Sequence, residues 1–132
     1  MLVCQTPLRI SFFGGGTDIP EYYITAPDGG QVISAAIDKS TYVILNRLYR
    51  DQFVCNYTKK ESVSYVEEIE HEYIREVLRH FNVNPGLEIT TLADIPSEGS
   101  GLGSSSSVTV GLLNALYAYK GIQVTADQLA EE

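Results

Sequence analysis

Two short segments of this chain carry residues whose types and spacing can do chemistry. The first runs T-P-L-R-I-S-F-F-G-G-G-T-D from Thr6 to Asp18 and sets Arg9 nine positions before Asp18, with Gly14, Gly15 and Gly16 between them. An arginine in a strand presents a planar, permanently charged fork suited to a phosphoryl group or a carboxylate. An aspartate just beyond a glycine turn can accept hydrogen bonds from two adjacent hydroxyls, as on a sugar. Taken alone, an exposed Arg and a turn-forming Asp is the simpler account of the segment.

The second segment is Pro96-Ser97-Glu98-Gly99-Ser100-Gly101-Leu102-Gly103-Ser104-Ser105-Ser106-Ser107. It falls between a predicted strand and a predicted helix. Glycines let successive amides turn inward, and the first N–H groups of a helix lack intrahelical acceptors and sit at the positive end of its dipole. That combination makes an anion site, and serine hydroxyls at its mouth can donate to phosphate oxygens or help hold Mg²⁺. A serine-rich N-cap in a surface loop is an equally weighted alternative for the segment by itself. Neither common nucleotide template fits: G-x-x-x-x-G-K-[ST] lacks its Lys, and G-x-G-x-x-G meets Ser104 where it needs Gly.

The elements that must position these segments are legible as changes of period. Leu2 to Phe13 reads as a strand entering the glycine run; Gln31 to Ile37, Thr41 to Leu48 and Gln52 to Tyr57 carry further strand-like residues, and Ser62 to Val66 adds a fifth candidate. Together they suggest a meandering, largely antiparallel sheet. From Glu67 the period becomes helical, with Ile69, Tyr73, Ile74, Val77, Leu78 and Phe81 on one side, until Asn84-Pro85-Gly86. Leu87 to Leu92 reads as a strand, Ser104 to Tyr119 as a buried helix stopped near Gly121, and Thr125 as the N-cap of a last helix. The Glu67-Glu68-Glu70-Glu72 cluster reads as a solvated helix start, and His71 and His80 as surface side chains without a role. Tyr22 and Tyr23 fit either a sugar pocket or core packing.

Composition narrows the classes. At 132 residues the chain suits one α+β domain, taken as 1–132. No stretch approaches the ~20 apolar residues of a membrane span, and no secretory signal opens the chain, so a cytoplasmic protein without a membrane partner is expected. A net charge of −8 disfavours a broad nucleic-acid surface. Cys4 and Cys55 are too few for a disulfide framework and read as free thiols. Composition leaves the oligomeric state open.

With both segments in view, a resemblance emerges. Pro96 to Ser107 resembles the second motif of the GHMP kinases, P-x-x-x-G-L-G-S-S-[AS], its G-L-G-S-S-[AS] core falling on Gly101 to Ser106. The resemblance implies an ATP loop comprising Pro96, Gly99, Ser100, Gly101, Leu102, Gly103, Ser104, Ser105 and Ser106, with Ser105 as the Mg²⁺ contact. Thr6 to Asp18 resembles the first motif as sugar kinases write it; galactokinases have P-G-R-V-N-L-I-G-E-H-T-D at the same Arg-to-Asp spacing. This puts Arg9 near the transferring phosphate and Asp18 on sugar hydroxyls. Gly15, Gly16 and Thr17 line the acceptor side, the two glycines replacing a Glu-His and leaving more room.

The wording L-R-I-S-F-F-G-G-G-T-D is most similar to the kinases of heptose 7-phosphate, with fucokinase-like members sharing much of it. The implied fold is the ribosomal-protein-S5 domain-2-like N-terminal domain. The implied reaction is γ-phosphoryl transfer from Mg·ATP to a sugar hydroxyl, the anomeric one for a heptose. By the same resemblance the catalytic Asp and a C-terminal domain would follow residue 132, so these residues alone are expected to be inactive. A module that binds a nucleotide or sugar phosphate without catalysis is the rival expectation.

Overall fold

A computed structural model describes residues 1–96 and 100–132. Strand β1 (Leu2–Phe13) pairs antiparallel with β2 (Ile33–Arg47), which pairs antiparallel with β5 (Leu87–Ala93). Beyond β5 lie β3 (Phe53–Asn56) and β4 (Lys60–Val63), giving the order β1-β2-β5-β3-β4. The sheet is antiparallel as expected except at β3 and β5, which run parallel. The reason is a crossover: α2 (Glu72–His80) carries the chain from edge strand β4 back across the sheet to insert β5 between β2 and β3. Three further helices are α1 (Pro20–Tyr23), α3 (Ser104–Tyr119) and α4 (Ala126–Glu131). Among the described residues, no helix is long and apolar enough to cross a membrane.

The two strand-like runs Gln31 to Ile37 and Thr41 to Leu48 prove to be one strand, β2. Asp38 and Lys39 look like a break but lie in a bulge, because register passes from Pro7 opposite Ser40 to Arg9 opposite Ala36. Leu8 alone therefore faces residues 37–39, and the extra length kinks the strand without ending it. Leu8 is fully buried, whereas Phe12, Phe13 and Ile33 at the far end of this hairpin are exposed.

The core lies between the sheet and the helices. Val43, Leu45, Phe53, Cys55, Leu87 and Ile89 of the sheet meet Ile74 and Leu78 of α2 and Leu112 and Leu116 of α3. Burial of this apolar surface is the main favourable term in folding. Cys55 is part of it, and its thiol is pushed up to about 12 by that burial, with Glu61 adding to the effect. It is an inert packing group. Helix α3 comes unusually close to the sheet at Gly111, where a Cβ would meet Thr6 Oγ1 at 2.8 Å and Val43 Cγ2 at 3.3 Å.

Helix α2 begins later than its periodicity suggests. The chain makes a 3₁₀ turn at Val66–Glu68, and the Glu68 carboxylate accepts from the amides of Ser64 and Tyr65, both at 3.0 Å. Ile69 is then extended (ψ 122°), which blocks continuation, and His71 becomes the N-cap of α2. Glu67, Glu68 and Glu70 thus precede the helix and do not form its first turn. The expected Thr125 cap is present as a capping box with Gln128.

Candidate functional site

The Gly/Ser loop is anchored at both ends. At its entry, Asp94 Oδ2 accepts from the Ser40 amide at 2.8 Å and from the Tyr42 hydroxyl at 3.4 Å, while the Asp94 amide donates to Ser40 O at 3.0 Å. Ser40 is the first regularly paired residue beyond the β2 bulge, opposite Pro7, so the start of the loop is received next to the irregular part of the strand. Sequence reasoning missed Asp94, which carries no motif signal. Ser97, Glu98 and Gly99 lie outside the described residues, and the Gly99 assignment with them.

At its exit, Gly101 and Gly103 take left-handed conformations (φ +66° and +75°). Gly103 is the N-cap of α3 and offers no side-chain cap, so no N-cap side chain claims the amides of the first turn. Ser104, Ser105 and Ser106 occupy that turn, and Ser107 is turned inward, its hydroxyl donating to Pro7 O at 3.3 Å. Ser100 Oγ accepts from the Leu102 amide at 3.4 Å. The second motif thus stands as a turn of backbone opening directly into a sixteen-residue helix.

Arg9 ties the two motifs together. Its Nη1 donates to Gly101 O at 2.9 Å and its amide to Leu102 O at 3.2 Å. Gly103 leaves the room this needs, since a Cβ there would lie 3.2 Å from Arg9 Cζ. The side chain is exposed and pairs with no carboxylate among the described residues, so its charge is available to an anion beside the loop.

The glycine run is built differently. Gly14 (φ +90°) approaches the segment leading into β2 so closely that a Cβ would sit 1.9 Å from Gln31 O, and a Cβ on Gly30 would sit 1.8 Å from Thr17 O. The Thr17 hydroxyl lies 2.7 Å from Gly14 O and 2.8 Å from Gln31 O, and accepts from the Gln31 amide at 3.2 Å. It fastens the turn. Asp18 is exposed, with Oδ1 accepting from the Gly16 amide at 2.9 Å and its second oxygen making no described hydrogen bond. Gly15 has nothing within 4 Å of where a Cβ would be. No described hydrogen bond joins this turn to the Gly/Ser loop. Tyr22 and Tyr23 remain 46% and 44% exposed beside it, so they do not serve as core.

A cavity of about 520 Å³ opens beside the loop. Its lining includes Pro96, Ser104, Ser105, Tyr57, His71 and Tyr73. The His71 and Tyr57 rings meet edge to face, 4.7 Å apart at 82°. His71 is therefore neither solvated nor idle, as its place among charged residues suggested. Its contacts come from Tyr57, just beyond β3, and from the helix start, which the local sequence does not bring together. Burial pushes its imidazole below the ordinary value, against the opposing pull of Glu61. Among the described residues, no group of three or more His, Cys, Asp or Glu side chains could by itself hold a metal.

The fold thus brings together a strand, a glycine turn with left-handed backbone and a buried helix, with a cation across the turn and a cavity at its side. The chain belongs to the GHMP kinase family, whose N-terminal domain model matches residues 64–132. Over 96% of its length it is 28% identical to D-glycero-alpha-D-manno-heptose 7-phosphate kinase of Campylobacter jejuni. It spans only 40% of that relative. A solved D-glycero-D-manno-heptose 1-phosphate kinase from Bacteroides thetaiotaomicron superposes with a TM-score of 0.81 at 24% identity, over 98% of this chain and 46% of that one. Lactococcus lactis galactokinase complexed with galactose superposes with a TM-score of 0.72 at 22% identity, over 98% and 36%. Both likenesses establish the α+β fold of the GHMP N-terminal domain.

Proposed function

We propose that this chain supplies the nucleotide-binding half of an ATP-dependent sugar kinase, with the anomeric hydroxyl of a heptose 7-phosphate as acceptor. The observation that carries the reading is the Arg9–Gly101 bond, which joins a permanent cation of the first motif to the glycine turn of the second. The triphosphate would lie along Gly101 to Ser105, and the base would enter the adjoining cavity. The residues present fit Mg²⁺ as a partner of the nucleotide, with the Ser105 hydroxyl as its protein contact. When bound, it would neutralise charge on the phosphates. Arg9 would hold the transferring phosphoryl group, and Asp18 would orient the sugar through its free oxygen. Transfer of this kind depends on positioning and charge stabilisation, with no covalent enzyme intermediate.

Gly101→Val tests the nucleotide part. The position is open, with nothing within 4 Å of a Cβ, so the fold should survive apart from the strain of φ +66°. A branched side chain would nevertheless obstruct approach of phosphate to the backbone. Calorimetry should show Mg·ATP affinity falling at least about tenfold, or roughly 1.4 kcal/mol. Unchanged affinity would exclude this loop as the phosphate site.

Asp18→Asn tests the acceptor part. Asn can keep one oxygen on the Gly16 amide but presents a donor where the sugar hydroxyl needs an acceptor. In a catalytically complete kinase containing this domain, the KM for heptose 7-phosphate should rise about tenfold or more while ATP affinity stays level, a cost comparable to other charge-assisted hydrogen bonds. The reverse pattern would reassign Asp18. Fucokinase- and galactokinase-like acceptors belong in the same assay. Binding without turnover is the second reading: of the aspartates beside the loop and after it, Asp94 is committed to Ser40, and Asp127 lies in the first turn of α4. Residues 1–132 alone are accordingly expected to bind nucleotide with only background turnover.

A further inference from the structure

We propose that His71 is a positioning residue for the nucleotide base, serving at once as the cap of α2 and as one wall of the cavity. The inference rests on the nucleotide reading above. His71 Nδ1 accepts from the Ile74 amide at 3.5 Å, a long bond, and the same ring makes the edge-to-face contact with Tyr57 at 4.7 Å and a tilted one with Tyr73 at 6.0 Å. All three side chains line the cavity that also contains Ser105.

Because Nδ1 is the acceptor, the neutral ring must carry its proton on Nε2. Protonation would convert Nδ1 into a donor facing another donor, at the positive end of the α2 dipole. The ring could not then remain as cap and wall together. The charged and titratable groups around it are Glu61 on β4, Tyr57 just beyond β3, Tyr73 in the first turn of α2, and Glu70 just before it. Glu61 Oε2 is already engaged by the Glu70 amide at 2.9 Å, and Glu70 pairs with Lys59 at 3.2 Å. Glu61 attracts the imidazolium, yet burial prevails and the neutral form is favoured.

The sign follows. A histidine whose pKa is lowered on folding leaves the cap intact above the ordinary imidazole range and loses it as pH falls. A base that packs on the neutral ring must lower that pKa further, by linkage. A bystander histidine near an anionic nucleotide would instead have its pKa raised by the added negative charge.

The protein has two histidines, so imidazole NMR on a His80→Gln background reports His71 alone. The expected result is an Nε2–H tautomer whose pKa drops on saturation with Mg·ATP. A rise, or no change, would overturn the proposal. Calorimetry supplies the second measurement, comparing Mg·ATP affinity at about pH 8 and about pH 5.5 with that of His71→Asn, which caps a helix without titrating. The difference between the two profiles cancels the titration of ATP itself. The substituted protein should bind a few-fold more weakly at the higher pH and lose less on acidification. Identical profiles would also overturn the role of His71 while leaving the nucleotide site standing. Failure of the unsubstituted protein to bind Mg·ATP at about pH 8 would remove the nucleotide reading and this inference together.

Discussion

Arg9→Met should reduce phosphoryl transfer about 10³-fold or more in a catalytically complete kinase carrying this domain, a magnitude typical of arginines that neutralise a transferring phosphoryl group. Methionine fills comparable space but provides neither charge nor donor. Two things are lost together: the bond that holds Gly101 O at 2.9 Å, and the cation across the turn. Arg9→Lys separates them in part, since an ammonium keeps the charge without the planar fork. Lysine should recover some rate, but the bond to Gly101 is not expected to re-form with the same geometry. Rates measured with saturating Mg·ATP and heptose 7-phosphate check this. Full activity in Arg9→Met would show that Arg9 has only a structural role on the loop.

Gly14→Ala is expected to produce a large loss of stability from a single methyl group. The new Cβ would meet Gln31 O at 1.9 Å in a left-handed conformation, so the turn must open. Opening it also strains the Thr17 hydroxyl, which lies between Gly14 O and Gln31 O. A cost of about 3 kcal/mol or more, near 10 °C in melting temperature for a domain of this size, combines an αL penalty with a backbone clash. Gly16→Ala is the control. Its φ is +96°, but a Cβ there has nothing within 4 Å, so only the conformational penalty of about 1–2 kcal/mol applies. Thermal unfolding of the two variants should therefore separate clearly, and equal melting temperatures would show that the Gly14–Gln31 approach is not maintained in solution.

Much of this was legible in the sequence because it is local. Strand β1 has the expected limits, and α3 begins at the serine run and runs to Tyr119, since alternation and helical period are short-range signals. The resemblance implies Arg9 near the transferring phosphate but not its bond to Gly101, because motif spacing fixes residue types and not hydrogen-bond partners. The features that escaped depend on distant pairing. A bulge that carries Asp38 and Lys39 through β2 is defined by its partner Leu8, not by its own residues. The parallel β3–β5 pair follows from a crossover. His71 looked like a solvated residue because its neighbours in sequence are acidic, whereas its neighbours in space are Tyr57 and the amide of Ile74. Asp94 lacked a signal for the same reason: Ser40 is 54 positions away.

The bond between Arg9 and Gly101 also has a kinetic meaning. It closes a loop of 92 positions, and the Ser107–Pro7 bond closes one of 100. Contacts so remote in sequence form late, because the chain must give up most of its freedom before they bring any return. During synthesis the first motif therefore waits for nearly the whole domain to emerge before its cation has a turn to rest on. A ligand that needs both motifs can select only molecules in which β1 and α3 are already docked. Its binding energy is then felt by the entire sheet as resistance to unfolding, growing with the logarithm of ligand concentration.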